Sequence, residues 1–310
     1  MGTMTFGGGG KFAAVGTTGV EEARAQIDMC LDAGVNLIDT ADVYSDGASE
    51  EIVGQVLKTR RDEVLLTTKV RFAMGDGPND AGLSRHHIVS ACEASLRRLG
   101  TDYLDLYQLH EWDGLTPLEE TLEALDLLVS SGKVRYVGAS NFSAWHLMKA
   151  LGVSERAGLP RLVSQQIYYS LQGREAEYEL VPLAIDQQPP EGARHLGDWN
   201  EPPVYDEESL YDVVDVLVEI AAARGVPAAQ VALAFTLGRP GVTSLVVGAR
   251  TREQLAQNLA AVELVLDDGE RDRLEKVSRP PLPYPYWHQA ATASDRLSPA
   301  DLTLLGPHLP

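Results

Sequence analysis

Asn36-Leu-Ile-Asp-Thr-Ala-Asp-Val-Tyr44 is the stretch that decides the fold and indicates where the chemistry lies. Its first residues, together with Val35, form a short apolar run that is typical of a buried parallel strand. Asp39 ends this run where a parallel strand leaves the core and meets solvent. A carboxylate and the phenol of Tyr44 are therefore expected together at the end of one strand.

Two later stretches repeat this order of an apolar run followed by an ionisable residue. Val64-Leu-Leu-Thr-Thr-Lys69 ends in a lysine, and Tyr103-Leu-Asp-Leu-Tyr-Gln-Leu-His110 ends in a histidine. The carboxyl ends of parallel strands meet at one face of a barrel or one edge of an open sheet, where active sites are built. The sequence therefore predicts one catalytic site at these strand ends. Its members are Asp39, Tyr44, Lys69 and His110.

Taken singly, these residues also have structural explanations. An aspartate after a strand commonly caps a helix or forms a turn, Lys69 alone fits a solvated strand end, and His110 alone fits a structural imidazole. Their recurrence at successive strand ends favours the catalytic interpretation. Asp42 and Asp46 are interpreted as loop acids.

Strand and helix patterns alternate along the chain. Strands are predicted at 2–6, 35–38, 64–68, 104–109, 134–139, 163–167 and 244–247, and helices at 20–33, 49–57, 85–99, 117–131, 143–151, 175–185, 210–224, 228–237 and 252–262. Such regular repeats predict a parallel sheet and favour a closed (β/α)8 barrel. The polar stretch Gln187-Gln-Pro-Pro-Glu-Gly192 stands where the seventh of eight strands is expected. Ser49 is the expected cap of the helix at 49–57.

Composition limits the classes of function. The 310 residues, 44% of them hydrophobic, are long enough for one large domain spanning 1–310. A net charge of −19 argues against nucleic-acid and anionic-membrane partners, which need a basic surface. Cys30 and Cys92 form no disulfide framework, and His86 and His87 have no evident third ligand, so no metal site is predicted. With no secretion signal or membrane-spanning run, a cytoplasmic location is expected.

The chain resembles the aldo-keto reductase family, in particular bacterial members related to potassium-channel β-subunits. The motifs that carry this resemblance follow the family's order and are Gly2-Thr-Met-Thr-Phe-Gly7, Asn36 to Tyr44, Thr68-Lys69, Leu109-His110, Gly138-Ala-Ser-Asn141, Gln166 with Tyr169-Ser-Leu171, and Gly248-Ala-Arg250 with Gln254 and Asn258. The resemblance implies a (β/α)8 barrel that binds NADP(H) in extended form and reduces the carbonyl group of a small molecule. It leaves the physiological substrate and the oligomeric state undetermined.

Two features of that family are not found in this sequence. One is an amino-terminal hairpin, and the other is a seventh strand that ends in an aromatic-Ser-Pro-Leu segment. Loss of a barrel strand would cost about as much as the whole 5–15 kcal/mol stability of a domain. We therefore hypothesise that residues are missing between Asp186 and Gln187, which a Cα–Cα distance well above about 3.8 Å would reveal.

The resemblance gives each predicted catalytic residue a chemical role. Hydride addition to a carbonyl leaves an alkoxide that needs a proton, and Tyr44 is the expected donor. Free tyrosine titrates near pH 10, so its phenolate needs the stabilisation that the Lys69 ammonium supplies. Asp39 pairs with this ammonium, and His110 is suited to hydrogen-bond the carbonyl oxygen.

The resemblance also implies a set of cofactor-binding residues. They are Gly2, Thr3, Met4, Ser140, Asn141, Gln166, Gly248, Arg250, Gln254 and Asn258. Ser140, Asn141 and Gln166 follow strands and offer groups for a carboxamide, although caps and turns use the same residue types. Arg250 precedes a helix, where phosphate binding is favoured, so it is expected to hold a 2′-phosphate and to favour NADPH over NADH. A surface arginine is the alternative.

The expected substrate pocket is aromatic. Phe72 and Trp112 follow two of the catalytic strands, and Tyr286 and Trp287 belong to a carboxyl-terminal loop, about 278–310, that is expected to cover the pocket. Packing of these rings on the barrel rim is an equally good explanation. Two other functions stay open: a regulatory NADP(H)-binding subunit with slow turnover, and a different barrel enzyme, for which no phosphate-sugar or metal pattern is found.

Overall fold

A computed structural model describes residues 1–186, 207–283, 285–292 and 298–309. The chain divides into two compact units. The first consists of Met1–Gln166 and Val246–Ala256, and the second of Ile167–Leu245 and Gln257–Pro310. The hypothesised break between Asp186 and Gln187 lies outside the described residues, since Gln187 is not among them.

The first unit contains a sheet of five parallel strands arranged in chain order. They are β1 (Leu37–Asp39), β2 (Leu65–Val70), β3 (Leu104–Leu109), β4 (Val134–Ser140) and β5 (Leu162–Gln166). Asp39 lies opposite Thr67, and Lys69 lies opposite Gln108. Because all the strands run in one direction, their carboxyl ends lie at the same edge. The predicted α/β class is confirmed.

Five helices follow or precede these strands in the first unit. They are α1 (Val20–Asp32), α2 (Ala48–Leu57), α3 (Arg85–Leu99), α4 (Leu118–Ser130) and α5 (Ala144–Ala157). Helix α3 begins after Ser84, whose hydroxyl accepts a hydrogen bond from the His87 amide, and ends at the left-handed Gly100. The prediction that Ser49 caps α2 is wrong. Gly47 holds that position, and the buried Ser49 hydroxyl donates to the Thr3 carbonyl oxygen instead.

Helices α2 and α3 approach closely at Gly54. A Cβ at this position would lie 2.6 Å from the carbonyl oxygen of Arg98 and 2.7 Å from that of Leu99. Real Cβ atoms do not come so near to backbone, so only glycine fits without a shift of one helix. The separation of α2 from α3 is therefore set by a residue that has no side chain.

Two of the predicted strands do not form. Gly2 and Phe6 make only isolated bridges, to Asp39 and Thr18, and residues 244–247 have no strand partners. The two segments are nevertheless joined, because the Gly2 amide donates to the Val247 carbonyl oxygen at 2.9 Å. Short contacts of this kind hold the chain in place without the repeated ladder that defines a strand.

The described part of the second unit is helical. It contains α6 (Ala176–Asp186), α7 (Glu207–Arg224), α8 (Ala228–Leu237), α10 (Asp268–Ser278), α11 (Tyr286–Thr292) and α12 (Pro299–Leu305), and the chain enters it within α9 (Arg252–Leu259). The apolar faces of α7, α8 and α10 form its core. The helix predicted to reach residue 262 ends at Leu259, and the segment predicted as a carboxyl-terminal loop contains α11 and α12.

Among the described residues, no single helix combines the length and the apolar composition that a membrane span requires. Only two helices taken together, Ser209–Arg224 and Ala228–Leu237, meet the requirement of length and composition, and they are bent by 103°.

A buried ion network ties elements of the second unit together. The Arg174 guanidinium contacts Glu177 at 2.9 Å and Glu275 at 3.0 Å. Arg239 contacts the same two carboxylates, and the Tyr169 hydroxyl donates to Glu177. Two guanidinium groups and two carboxylates therefore balance one another's charge. They join α6 and α10 to the segments that precede α6 and follow α8.

Candidate active site

A buried ion pair lies at the centre of the predicted site. The Lys69 Nζ donates to Asp39 Oδ2 at 2.8 Å and to the Thr40 carbonyl oxygen at 2.8 Å. The side chains of Lys69 and Asp39 are 0% and 1% exposed. Asp39 is the last residue of β1 and Lys69 the next-to-last residue of the neighbouring strand β2, so parallel pairing brings the charges together.

Tyr44 lies on the other side of the Lys69 amine. Its hydroxyl is 3.4 Å from Nζ, and its side chain is buried. The ring makes edge contacts with Phe12 at 5.4 Å and with His110 at 5.8 Å between centroids. A phenol in this position has an ammonium as its neighbour.

The turn after Tyr44 is unusual in its backbone conformation. Ser45 and Asp46 have left-handed φ values of 51° and 56°, which ordinary side chains adopt rarely. The Ser45 hydroxyl donates to the Phe6 carbonyl oxygen at 2.9 Å and accepts from the Gly8 amide at 3.1 Å. A Cβ at Gly10 would lie 2.1 Å from the Asp46 carboxylate. The glycine-rich loop therefore closes onto this turn because it lacks side chains.

His110 completes the group. Its backbone amide donates to the Val70 carbonyl oxygen at 2.9 Å, which fixes the end of β3 against β2. Its ring makes an edge contact with Phe72 at 4.8 Å. The Asn141 side chain donates from Nδ2 to the His110 carbonyl oxygen at 3.0 Å. Asn141 itself has a left-handed φ of 55°, so its backbone turns sharply at the end of β4.

Sequence analysis missed Gln108, which links the ion pair to β5. Its amide donates to Gln166 Oε1 at 2.8 Å, and the Gln166 amide approaches Asp39 Oδ2 at 3.5 Å. The signal was present in the sequence, because alternate residues of a strand share a face and Gln108 precedes His110 by two. Gln166, predicted to hold a carboxamide, is thus also part of a buried amide chain.

The amino-terminal segment makes hydrogen bonds to the backbone of Asp39 at the end of β1. The Thr3 amide and hydroxyl both donate to the Asp39 carbonyl oxygen, at 2.9 and 3.0 Å. Met4 packs against the cluster formed by Phe12, Val15, Ala41 and Tyr44. Gly2 and Thr3, predicted as cofactor-binding residues, hold the backbone of β1 in these contacts.

The predicted phosphate-binding residues lie before and within α9. Gly248 faces the Gly2 carbonyl oxygen, which a Cβ would approach to 3.4 Å. Arg250 is exposed, and its amide donates to Gln254 Oε1 at 3.1 Å. Arg252, which was not singled out, pairs with Glu22 at 2.8 Å. Asn258 belongs to the second unit, whereas Gly248, Arg250 and Gln254 belong to the first.

The four predicted substrate residues fall into two groups. Phe72 lies against His110, and the Trp112 ring stacks on His146 at 4.0 Å between centroids. Tyr286 and Trp287 begin α11 of the second unit, where the Tyr286 ring stacks on Tyr178 at 5.8 Å.

A second buried layer lies behind the ion pair. The Glu50 carboxylate accepts from Thr68 Oγ1 at 2.5 Å and from Arg98 Nε at 2.6 Å. Asp42 lies in the turn after β1, in agreement with its interpretation as a loop acid, but its side chain is 0% exposed. The buried segment therefore continues past Asp39 into the turn. Asp46, the other predicted loop acid, is exposed.

Metal ligands are not clustered in the described ranges: no group of three or more His, Cys, Asp or Glu side chains there is arranged to hold an ion. Both cysteines are buried free thiols.

Parallel strands that alternate with helices and gather ionisable groups at their carboxyl ends define the α/β-barrel class of proteins. The model of the Aldo/keto reductase family matches residues 1–279, so this chain belongs to that family, and the predicted resemblance is confirmed. The family's members are oxidoreductases of barrel fold that use nicotinamide cofactors.

Characterised and named relatives agree with this membership. A probable voltage-gated potassium channel subunit beta of Arabidopsis thaliana is 34% identical over 299 residues, with 86% of this chain and 91% of that protein covered. A versiconal hemiacetal acetate reductase of Aspergillus parasiticus is 33% identical, with 83% and 86% covered. A methylglyoxal reductase of Escherichia coli is 36% identical, with 86% and 87% covered.

Proposed function

We propose that this protein reduces an aldehyde or ketone of a small molecule to the alcohol with NADPH as the reductant. The observation that carries the proposal is the buried contact of the Lys69 amine with both Asp39 and the Tyr44 hydroxyl. Such an arrangement makes a proton available beside an enclosed cation, as carbonyl reduction requires.

Tyr44 is the proposed proton donor. When bound, the nicotinamide supplies a hydride to the carbonyl carbon, and the oxygen then needs a proton. The Tyr44 hydroxyl gives this proton, and the phenolate left behind is stabilised by the Lys69 ammonium at 3.4 Å. Asp39 keeps the ammonium charged and in place, since both groups are shielded from water.

His110 is the proposed orienting group. Its ring lies between those of Tyr44 and Phe72, so a hydrogen bond from it would direct a carbonyl oxygen toward the phenol. Phe72 supplies an apolar wall, and we include Trp112 in the same pocket. Tyr286 and Trp287 complete the proposed set of substrate residues, and we propose a single domain spanning 1–310.

The chemistry of the available donors fits NADP(H). Ser140, Asn141 and Gln166 offer hydroxyl and amide groups for the nicotinamide carboxamide, and the Gln166 amide lies 3.5 Å from Asp39 Oδ2. Arg250 presents an exposed guanidinium two residues before α9, where a helix dipole and backbone amides favour phosphate. The remaining proposed contacts are Gly2, Thr3, Met4, Gly248, Gln254 and Asn258.

An assay of NADPH absorbance over a panel of aldehydes, ketones and sugars tests this function. Tyr44→Phe should lower kcat by about 10²–10⁴-fold while NADPH binding, followed by fluorescence, persists. Tyr136→Phe is the matched control, because that tyrosine is 62% exposed on β4. Carbonyl reduction at the wild-type rate by Tyr44→Phe would remove Tyr44 from the proposed role.

A regulatory NADP(H)-binding subunit is the second candidate. It is favoured by the 34% identity to a protein named as a probable potassium channel β-subunit. Tight retention of NADPH through purification, with very slow turnover of every carbonyl tested, would support this candidate. Rapid multiple turnover of one carbonyl would contradict it. We propose a cytoplasmic location for either function, since the two thiols are free as in a reducing compartment.

A further inference from the structure

Asp42 is a buried acid that the proposed mechanism does not use. It lies three residues after Asp39, its side chain is 0% exposed, and neither carboxyl oxygen makes a hydrogen bond of normal geometry. Its backbone amide donates to the Lys69 carbonyl oxygen at 3.3 Å, so the residue is fixed beside β2. A buried carboxylate without hydrogen bonds is costly, which makes the charged form of Asp42 unfavourable.

Lys69 offers Asp42 no hydrogen bond. An ammonium has three N–H groups, and those of Lys69 point to Asp39 Oδ2, the Thr40 carbonyl oxygen and the Tyr44 hydroxyl. An ionised Asp42 would therefore act on Lys69 through space only, as a second negative charge near the same cation.

Two further charged neighbours of Asp42 lie on helices. The Glu50 carboxylate on α2 is paired with Arg98 on α3, and its charge disfavours ionisation of Asp42 whereas that of Arg98 favours it. Tyr107 on β3 also lies near Asp42, and burial raises the pKa of its phenol well above the usual value. The groups around Asp42 are thus one paired carboxylate, one paired guanidinium, one neutral phenol and the Lys69 ammonium.

We propose that Asp42 is held as a neutral carboxylic acid beside the active site, so that Asp39 alone balances the charge of Lys69. This inference rests on the reductase function proposed above. Neutrality of Asp42 leaves the field of the Lys69 ammonium undiminished at the Tyr44 hydroxyl, where the proton is given up. Ionisation would add an anion that opposes that field.

The direction of the Asp42 shift agrees with this geometry. Burial, followed by the Glu50 charge, raises its pKa well above the ordinary 3.8, and the Val43 amide, Arg98 and Lys69 oppose the rise without cancelling it. The folded protein then holds a proton that the unfolded chain releases. Stability is therefore lost as the pH rises from about 4 toward the folded-state pKa.

Thermal unfolding tests the protonation state without any assay of catalysis. Asp42→Asn is neutral and of similar shape, so it should unfold at a higher temperature than the wild type at about pH 8, by at least about 3 °C. The gap should shrink as the pH falls toward 4. Asp62→Asn, at an exposed position, is the control and should show no such trend. A variant that is less stable than the wild type at every pH, or does not fold, overturns the proposal.

Steady-state kinetics tests whether the protonation state of Asp42 affects Lys69. Asp42→Asn should keep kcat and KM within about twofold at about pH 7, and its pH profile of kcat should separate from that of the wild type only where Asp42 ionises. A loss of kcat of tenfold or more at pH 7 with KM unchanged would make Asp42 a second counter-ion and overturn the proposal. If no carbonyl is reduced by either protein, the proposed function fails, and the unfolding experiment still decides whether Asp42 is neutral.

Discussion

The amine of Lys69 lies 2.8 Å from the carboxylate of Asp39, and neither side chain is open to solvent. Two charges removed from water are expensive, and their mutual attraction offsets this cost only when further hydrogen bonds satisfy them. Thr40 and Tyr44 provide those bonds on the lysine side. Removal of either charge therefore leaves the other buried without compensation.

Lys69→Met tests this dependence. The free energy of unfolding should fall by about 3–5 kcal/mol because Asp39 is left buried and unpaired. Activity should fall by about 10²–10⁴-fold because the Tyr44 phenolate loses its stabilising cation. Urea unfolding and NADPH turnover give the two measurements, and Lys58→Met, at an exposed position, is the control. If adding Asp39→Leu restores stability and activity together, the ammonium has no chemical role.

Gln108→Leu tests the amide chain that joins β3 to β5. The variant loses the 2.8 Å hydrogen bond to Gln166, so Gln166 should lose its fixed orientation beside Asp39. We expect KM for NADPH to rise several-fold and the unfolding free energy to fall by about 1–3 kcal/mol. A double-mutant cycle with Gln166→Leu should give a coupling of about 0.5–3 kcal/mol. Strict additivity of the two changes would show that this contact contributes nothing.

Arg250→Ala tests the choice between the two dinucleotides. Loss of the guanidinium should raise KM for NADPH by at least about tenfold and leave KM for NADH nearly unchanged, because only NADPH has the additional phosphate. Arg252→Ala is a close control, since that side chain is occupied by Glu22. Equal effects of Arg250→Ala on both cofactors would contradict the assignment.

The ion network of the second unit predicts a pH dependence of stability. Burial alone would raise the pKa of Glu275, but the hydrogen bond from Arg174 and the charge of Arg239 outweigh it, and the net shift is downward. The stability from this carboxylate is therefore present above its unfolded pKa of about 4.5 and is lost as the pH falls through the folded value.

Glu275→Gln should remove this dependence. The difference in unfolding temperature between wild type and variant should be largest near pH 7 and should shrink below about pH 4.5. Glu263→Gln, at an exposed position of the same unit, is the control. A difference that stays constant from pH 7 to the acid limit would mean that the Glu275 charge does not contribute.

The groups at the strand ends were predictable from the sequence for a clear physical reason. An apolar run followed by a charge marks where a strand leaves the core, and parallel pairing then brings Asp39, Lys69 and His110 together. The strands at 2–6 and 244–247 were mispredicted because apolar residues also fill short bridged segments. Ser49 was misread as a cap because its hydroxyl satisfies the Thr3 carbonyl oxygen, a partner distant in sequence.

The supporting layer could not be predicted, because it depends on contacts between distant elements. Nothing near Glu50 in the sequence indicates that Arg98 on α3 will pair with it, and the burial of Asp42 follows from how the turn folds back. Gln108 was the exception, since strand alternation places it on the same face as His110. Local patterns thus gave the proposed catalytic groups, whereas packing determined the residues that surround them.

Gly54 gives the molecule an unexpected point of vulnerability. In a saturation-mutagenesis screen scored by turnover, even alanine at this glycine should register as damaging, although it lies outside the group of side chains proposed to act on substrate. A methyl group there must displace the backbone of Arg98. This displacement would disturb the ion pair between the Arg98 side chain and Glu50. Reduced turnover of Gly54 variants would show that the spacing of α2 and α3 affects the activity of the neighbouring site.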